Sequence, residues 1–283
     1  MEPSGSAGTR YAGGMLSSAL RARRFDPDAL DRRDPRVVRT LLPVFEAFAR
    51  RYVRLRTSGL EHVPPARAAM FVGNHNGGIA GPDLPCTLAT LWRARGVDAP
   101  LYALAHDFAM RQLTPLGRAL QALGAVRATP ENARRVLAAG ASLLVYPGGD
   151  LDAYRASRDR DRVILGERTG FVRVAQATAT PIVPVVVHGA HRSAWIVTDG
   201  ARLASAIGLA RWGRLARFPI ALALPWGVGL GPWTPYLPLP WPLRLRVLPA
   251  VTPAPDDDPR AVREHVRARM QAALDELAAE ARA

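Results

Sequence analysis

A chain of 283 residues with 48 % apolar side chains is long enough to bury a full core. Its formal charge of +14 comes entirely from arginine and favours anionic partners, lipid headgroups or phosphorylated substrates. The arginines are spread along the whole sequence without a recognised binding motif, so no nucleic-acid partner is expected, and the single cysteine, Cys86, excludes an internal disulfide.

Residues 1–27 are rich in Gly, Ser and Ala and end in Arg21-Ala22-Arg23-Arg24. A secretory leader places its charge before an apolar stretch, the reverse of this order, so a flexible basic arm is expected. From Asp34-Pro35 a helix is marked by an acidic cap and a proline in its first turn, with Val38, Leu41, Phe45, Phe48, Tyr52 and Leu55 on one stripe. Pro43 is expected to kink it. A turn-rich connection through Ser58-Gly59 leads to the apolar run Ala68-Ala69-Met70-Phe71-Val72, which reads as a buried strand.

That strand breaks into Gly73-Asn74-His75-Asn76-Gly77-Gly78, and Pro82-Asp83 opens a helix carrying Leu84, Leu88, Leu91 and Trp92 at helical spacing. A glycine-rich turn between strand and helix can carry a histidine and a carboxylate towards each other, an arrangement suited to a general base. Strands are expected at Leu101–Ala105, around Gly124-Ala125-Val126-Arg127, at Leu143–Tyr146 running into Pro147-Gly148-Gly149-Asp150, and at Ile182–Val187, with helices between them. Short apolar strands alternating with helices predict an α/β fold, a mixed and largely buried sheet flanked by helices, whose ligands sit beyond the strand ends. Residues 218–243 hold no charge but seven prolines, too interrupted for a membrane span, and a loop-rich cap or lipid-dipping surface is expected there. Asp256-Asp257-Asp258-Pro259 caps a final helix over about residues 257–281. One domain over 28–283, with its core at about 40–250, is the simplest organisation.

Asn74-His75, the Gly124-Ala125-Val126 block, Tyr146-Pro147-Gly148-Gly149 and the Ile182-Val183-Pro184-Val185 strand, in that order, resemble the glycerophospholipid acyltransferases of the PlsC-like type. The family aspartate lies five residues beyond the histidine, whereas Asp83 lies eight beyond His75; glycine replaces the glutamate of the third block, and no arginine follows it. The Pro-Gly-Gly form looks more like the branch related to diacylglycerol and monoacylglycerol acyltransferases.

The resemblance implies transfer of a fatty acyl group from a thioester, acyl-CoA or acyl carrier protein, to a hydroxyl of a lysophospholipid or related glycerolipid. A neutral acceptor such as diacylglycerol, or lipid binding without turnover, are the alternatives. His75 is the expected base and Asp83 its carboxylate partner. Asn74, Gly77, Gly78, Pro147, Gly148, Gly149 and Asp150 are expected around the substrate, with glycine amides receiving the oxyanion. Arg127 is the first choice for an acceptor phosphate, Arg155 or Arg168 the next. No covalent enzyme intermediate is implied, since no Gly-x-Ser-x-Gly elbow is present, and no metal, since no His/Cys/acid cluster has ligand spacing; no cofactor is expected beyond the acyl thioester as donor substrate. Peripheral association with membrane lipids, at the cytoplasmic face of the inner membrane, is the expected setting.

Overall fold

The computed structural model describes residues 25–282 apart from 112–113, 210–215, 233 and 235. The expected basic arm therefore lies almost wholly outside the described residues. Among those described, seven strands form one sheet in the order β1-β10-β6-β2-β5-β3-β4. They are β1 (Arg56–Ser58), β2 (Met70–Gly73), β3 (Leu101–Ala105), β4 (Ala125–Arg127), β5 (Ser142–Val145), β6 (Ile182–His188) and β10 (Arg244–Val247). Strands β6, β2, β5, β3 and β4 run parallel, and β10 lies antiparallel to β6.

The central strands β2, β5 and β6 are apolar except at Ser142 and His188, at strand ends, because both faces are covered. Met70 and Val72 of β2 point to one core with Leu143, Val145, Ile182 and Val186. Phe71, Leu144, Val183 and Val185 point to the other. Helices α5 (Pro130–Ala138), α7 (Gly170–Ala177) and α9 (Pro259–Glu280) cover the first face, and α1 (Pro35–Ala47) and α2 (Asp83–Arg95) the second. The caps read from sequence are in place: Asp34 accepts from the Arg36 amide, Thr129 from Asn132, and Asp258 from Arg260 and Ala261. Pro43 sits inside α1, and the helix widens into a π turn over Phe48–Tyr52. Short helices α3 (Asp107–Arg111) and α4 (Thr114–Ala122) join β3 to β4, and α6 (Asp150–Ala153) follows the Pro147-Gly148-Gly149 turn.

The proline-dense region departs from the expected loops. After β6 the chain forms β7 (Trp195–Thr198), α8 (Ala201–Ala206), β8 (Ile220–Ala223) and β9 (Gly227–Leu230), and the three strands make a separate antiparallel sheet before β10 rejoins the main one. The reason is local. Ile220-Ala221-Leu222-Ala223 and Gly227-Val228-Gly229-Leu230 alternate large and small residues with the period of a strand, and Pro225 falls in the turn between them.

Candidate active site

The carboxyl ends of β2, β5 and β6, adjacent in the sheet, deliver three segments to one place: Asn74-His75-Asn76, Pro147-Gly148-Gly149 and Gly189–Ser193. Asn74 is fully buried and uses its carboxamide as a strand would use its backbone: Nδ2 donates to the Val187 carbonyl at 3.0 Å and Oδ1 accepts from the Val187 amide at 2.8 Å. The turn after β2 is thereby fixed to β6 before it leaves the sheet.

His75 and Asp83 meet. His75 Nδ1 lies 2.8 Å from Asp83 Oδ2, and Asp83, the first residue of α2, is completely buried. The Asn76 amide lies 3.0 Å from the same carboxylate oxygen. With Nδ1–H donating to Asp83, the Nε2 lone pair is the one left to accept a proton. The His75 ring stacks on Tyr146, centroids 4.8 Å apart, and its side chain keeps 23 % exposure. Burial lowers the pKa of the ring, but the Asp83 charge, its hydrogen bond and the nearby Asp152 more than offset this, so the net shift is upward from 6.5.

The extra residues between histidine and aspartate are taken up by a tight turn. Gly77 adopts φ +80°, and a methyl group at Gly81 would collide with the Asn76 carbonyl and the Asp83 carboxylate. The register of the pair thus depends on a close backbone approach that only glycine allows.

A buried ionic frame lies beneath. Asp152 of α6 accepts from the His75 amide at 2.5 Å and the Ile164 amide at 3.1 Å, and pairs with Arg155 at 3.0 Å. Burial pushes the Asp152 carboxyl up to about 6, against the pull of Arg155 and the two amides. Arg155 also donates to the His75 carbonyl at 2.8 Å and to Asn76 Oδ1, leaving 2 % of its side chain exposed. His191, just beyond β6, completes the frame: its Nδ1 accepts from the Gly77 amide at 3.1 Å and its Nε2 faces the Arg155 carbonyl at 2.8 Å. Burial and the neighbouring Arg155 hold His191 down at about 3, so it is a neutral strut.

Other expected residues sit elsewhere or are already engaged. Arg127, at the end of edge strand β4, is paired with Asp28 and lies 4.0 Å from Asp107, three strands away from β2. Asp150 is buried and accepts from the Ala216 amide at 2.6 Å, with Arg168 3.6 Å away. Arg168 also donates to the Pro147 carbonyl and remains 56 % exposed, so of the three arginines it is the one at the Pro-Gly-Gly turn that faces solvent. The Gly77 and Gly149 amides already donate, to His191 and to the Tyr146 carbonyl. An apolar cleft of about 420 Å³, counted with its open mouth, starts at Gly77 and Gly78 and runs between Tyr154, Tyr236 and the inner face of the small sheet. The Pro147-Gly148-Gly149 turn does not line it.

His191 and the linking role of Arg155 escape a sequence reading; the available signal for His191 was its place three residues beyond the end of a buried parallel strand. No helix among the described residues is long and apolar enough to cross a membrane.

The family model described as Acyltransferase matches residues 54–188, a span that runs from just before β1 to the end of β6. Uncharacterised proteins of Mycobacterium tuberculosis and Mycobacterium bovis are 31 % identical over 179 residues, 63 % of this chain and 49 % of theirs. The chain spans about half the length of these curated relatives. Phytyl ester synthase 2 of Arabidopsis thaliana is 30 % identical over 146 residues, 50 % of this chain and 20 % of that one. The crystal structure of the 1-acyl-sn-glycerophosphate acyltransferase PlsC from Thermotoga maritima superposes with a TM-score of 0.53 at 17 % identity, covering 94 % of this chain and 89 % of that one. The histidine turn, the Pro-Gly-Gly turn and strand β6 all lie inside the span that the Acyltransferase family model matches, somewhat under half of the chain, and the chain shares the fold of PlsC.

Proposed function

We propose that this chain transfers a fatty acyl group from an acyl thioester, on coenzyme A or an acyl carrier protein, to a hydroxyl of a lysophospholipid or related glycerolipid. The observation that carries the reading is the 2.8 Å contact of His75 Nδ1 with buried Asp83, which leaves Nε2 as a base on a partly exposed ring. As the acceptor hydroxyl attacks the thioester carbonyl, Nε2 takes its proton and Asp83 supports the imidazolium. The tetrahedral oxyanion then collapses, the carbon–sulfur bond breaks, and the imidazolium returns the proton to the leaving thiolate. The amides of Gly78 and Gly148, unlike those of Gly77 and Gly149, have no acceptor among the described residues and are the candidates for stabilising the oxyanion. Arg168 is the candidate for an acceptor phosphate.

A neutral alcohol is the second reading. It is favoured by the engagement of Arg127 with Asp28 and of Arg155 with internal carbonyls, which takes two of the three candidate phosphate ligands away from solvent. The plant relative, a phytyl ester synthase, points the same way. Release of free thiol from acyl-CoA should be followed against lysophosphatidic acid, other lysolipids and diacylglycerol. Turnover with lysolipids supports the first reading, and turnover with diacylglycerol alone supports the second. His75→Ala should lower the rate by about 10²–10⁴-fold; full activity in that variant removes both.

A further inference from the structure

We infer that the outer face of the small β7-β8-β9 sheet is a docking surface for an anionic lipid bilayer. One face of this sheet is covered and the other is not. Ala221, Ala223 and Gly229 point inward, where their small size leaves the room that the cleft occupies. Trp195, Leu222 and Val228 form a cross-strand row on the opposite face, and Trp195 and Val228 are 65 % and 56 % exposed. Leu224 and Leu230 extend this row along their strands, and Leu224 bridges to Leu237, which is also exposed. Single exposed apolar side chains are ordinary on a protein surface; a contiguous face of them, with Trp226 and Trp241 at its margins, marks an interaction site.

The charge around the patch selects the occupant. The chain carries a formal charge of +14, and Arg54, Arg192 and Arg202 lie on segments that carry or adjoin the patch. A second copy of the chain would bring equal positive charge against this region, whereas a bilayer with anionic headgroups complements it. Arg202 is exposed on α8, Arg54 donates to the Pro240 carbonyl beside the patch, and the Arg192 guanidinium lies 5.3 Å from the Trp241 ring centre. Tryptophans flanked by arginines around an apolar face suit the headgroup level, where an amphipathic ring keeps one side apolar and one side wet. The same strands form one wall of the cleft that ends at Gly77 and Gly78, so docking would bring that cleft to within one sheet's thickness of the membrane.

The test uses the full chain in a flotation assay with vesicles of phosphatidylcholine alone or mixed with phosphatidylglycerol, with light scattering to follow oligomeric state. The wild type should float with the anionic vesicles, and roughly tenfold more weakly with the neutral ones. The Trp195→Ser/Val228→Ser variant, altered at two exposed positions that do not line the cleft, should lose about tenfold or more in binding. Vesicles of brominated lipid should quench tryptophan fluorescence of the unaltered protein, a readout independent of whether the variant folds. The inference is overturned by a wild type that binds neither vesicle, by a folded double variant that binds as the wild type does, or by absent quenching. It is equally overturned by a wild-type dimer that the same substitutions dissolve, which would assign the face to a second copy. Vesicle binding by His75→Ala should match the wild type, so failure of the proposed chemistry and failure of the docking surface are separable.

Discussion

At the scale of single residues, the proposed site is a histidine whose two ring nitrogens stand in different surroundings. Nδ1 is committed to Asp83 and the net pKa of the ring lies above 6.5, so the neutral, proton-accepting form gains population as pH rises through that raised value. The acid limb of kcat/KM should therefore fall at a pH above 6.5. In Asp83→Asn the limb should move to lower pH, because a supporting negative charge is gone, while the plateau drops by about 10²-fold or more; a pH–rate profile of both proteins decides it. The same upward shift stabilises the fold fully below pH 6.5 and ceases to contribute once pH exceeds the raised value. Arg155 presents the opposite case, a charge whose duties are internal. Removing it in Arg155→Met leaves Asp152 buried and unpaired, and should cost about 3–5 kcal/mol in denaturant unfolding. The pairing of His75 with a carboxylate was legible from a histidine, a glycine-rich turn and an aspartate at a helix start. The position of Arg155 was not, because its contacts to the His75 carbonyl and to Asn76 Oδ1 reach a segment far away in sequence that only the sheet brings near.

At the scale of elements, the turn between β2 and α2 carries the geometry. Eight residues separate His75 from Asp83, and the pair still closes because the chain doubles back through Gly81 against the Asn76 carbonyl. Gly81→Ala should push that turn open and separate the pair, lowering kcat by about tenfold or more while leaving the far-UV circular dichroism spectrum unchanged. Strands β2, β5 and β6 were readable as apolar runs, since burial on both faces leaves polar side chains only at strand ends, Ser142 and His188. Strands β8 and β9 were not, because alanine and glycine fill their inward positions and proline punctuates the stretch, so composition suggested loops where the alternation of size specified strands. Helix α9 was plain from its cap and stripe. Leu274, 1 % exposed, packs in the same core as the central strands, and Leu274→Ala should cost about 2–5 kcal/mol, measured as a shift in the denaturant midpoint.

At the scale of the whole molecule, the segment that bears the exposed apolar face lies between two strands that are hydrogen-bonded neighbours. The chain leaves the main sheet at His188 and returns at Arg244, and these two residues are register partners. If the face meets an anionic bilayer as inferred, raising ionic strength should weaken vesicle association progressively, while apolar contact persists as a salt-resistant remainder; flotation across a salt series reads both parts. The excursion has a second consequence, for divergence among related chains. Because its two ends meet on one rung, the outer strands between them can be lengthened, trimmed or rewritten without moving the ladder on either side, provided His191 and Tyr236 keep their bonds to Gly77. Selection is therefore free to retailor that outer apparatus while the histidine turn, with its two ties to the excursion, stays on an unaltered chassis.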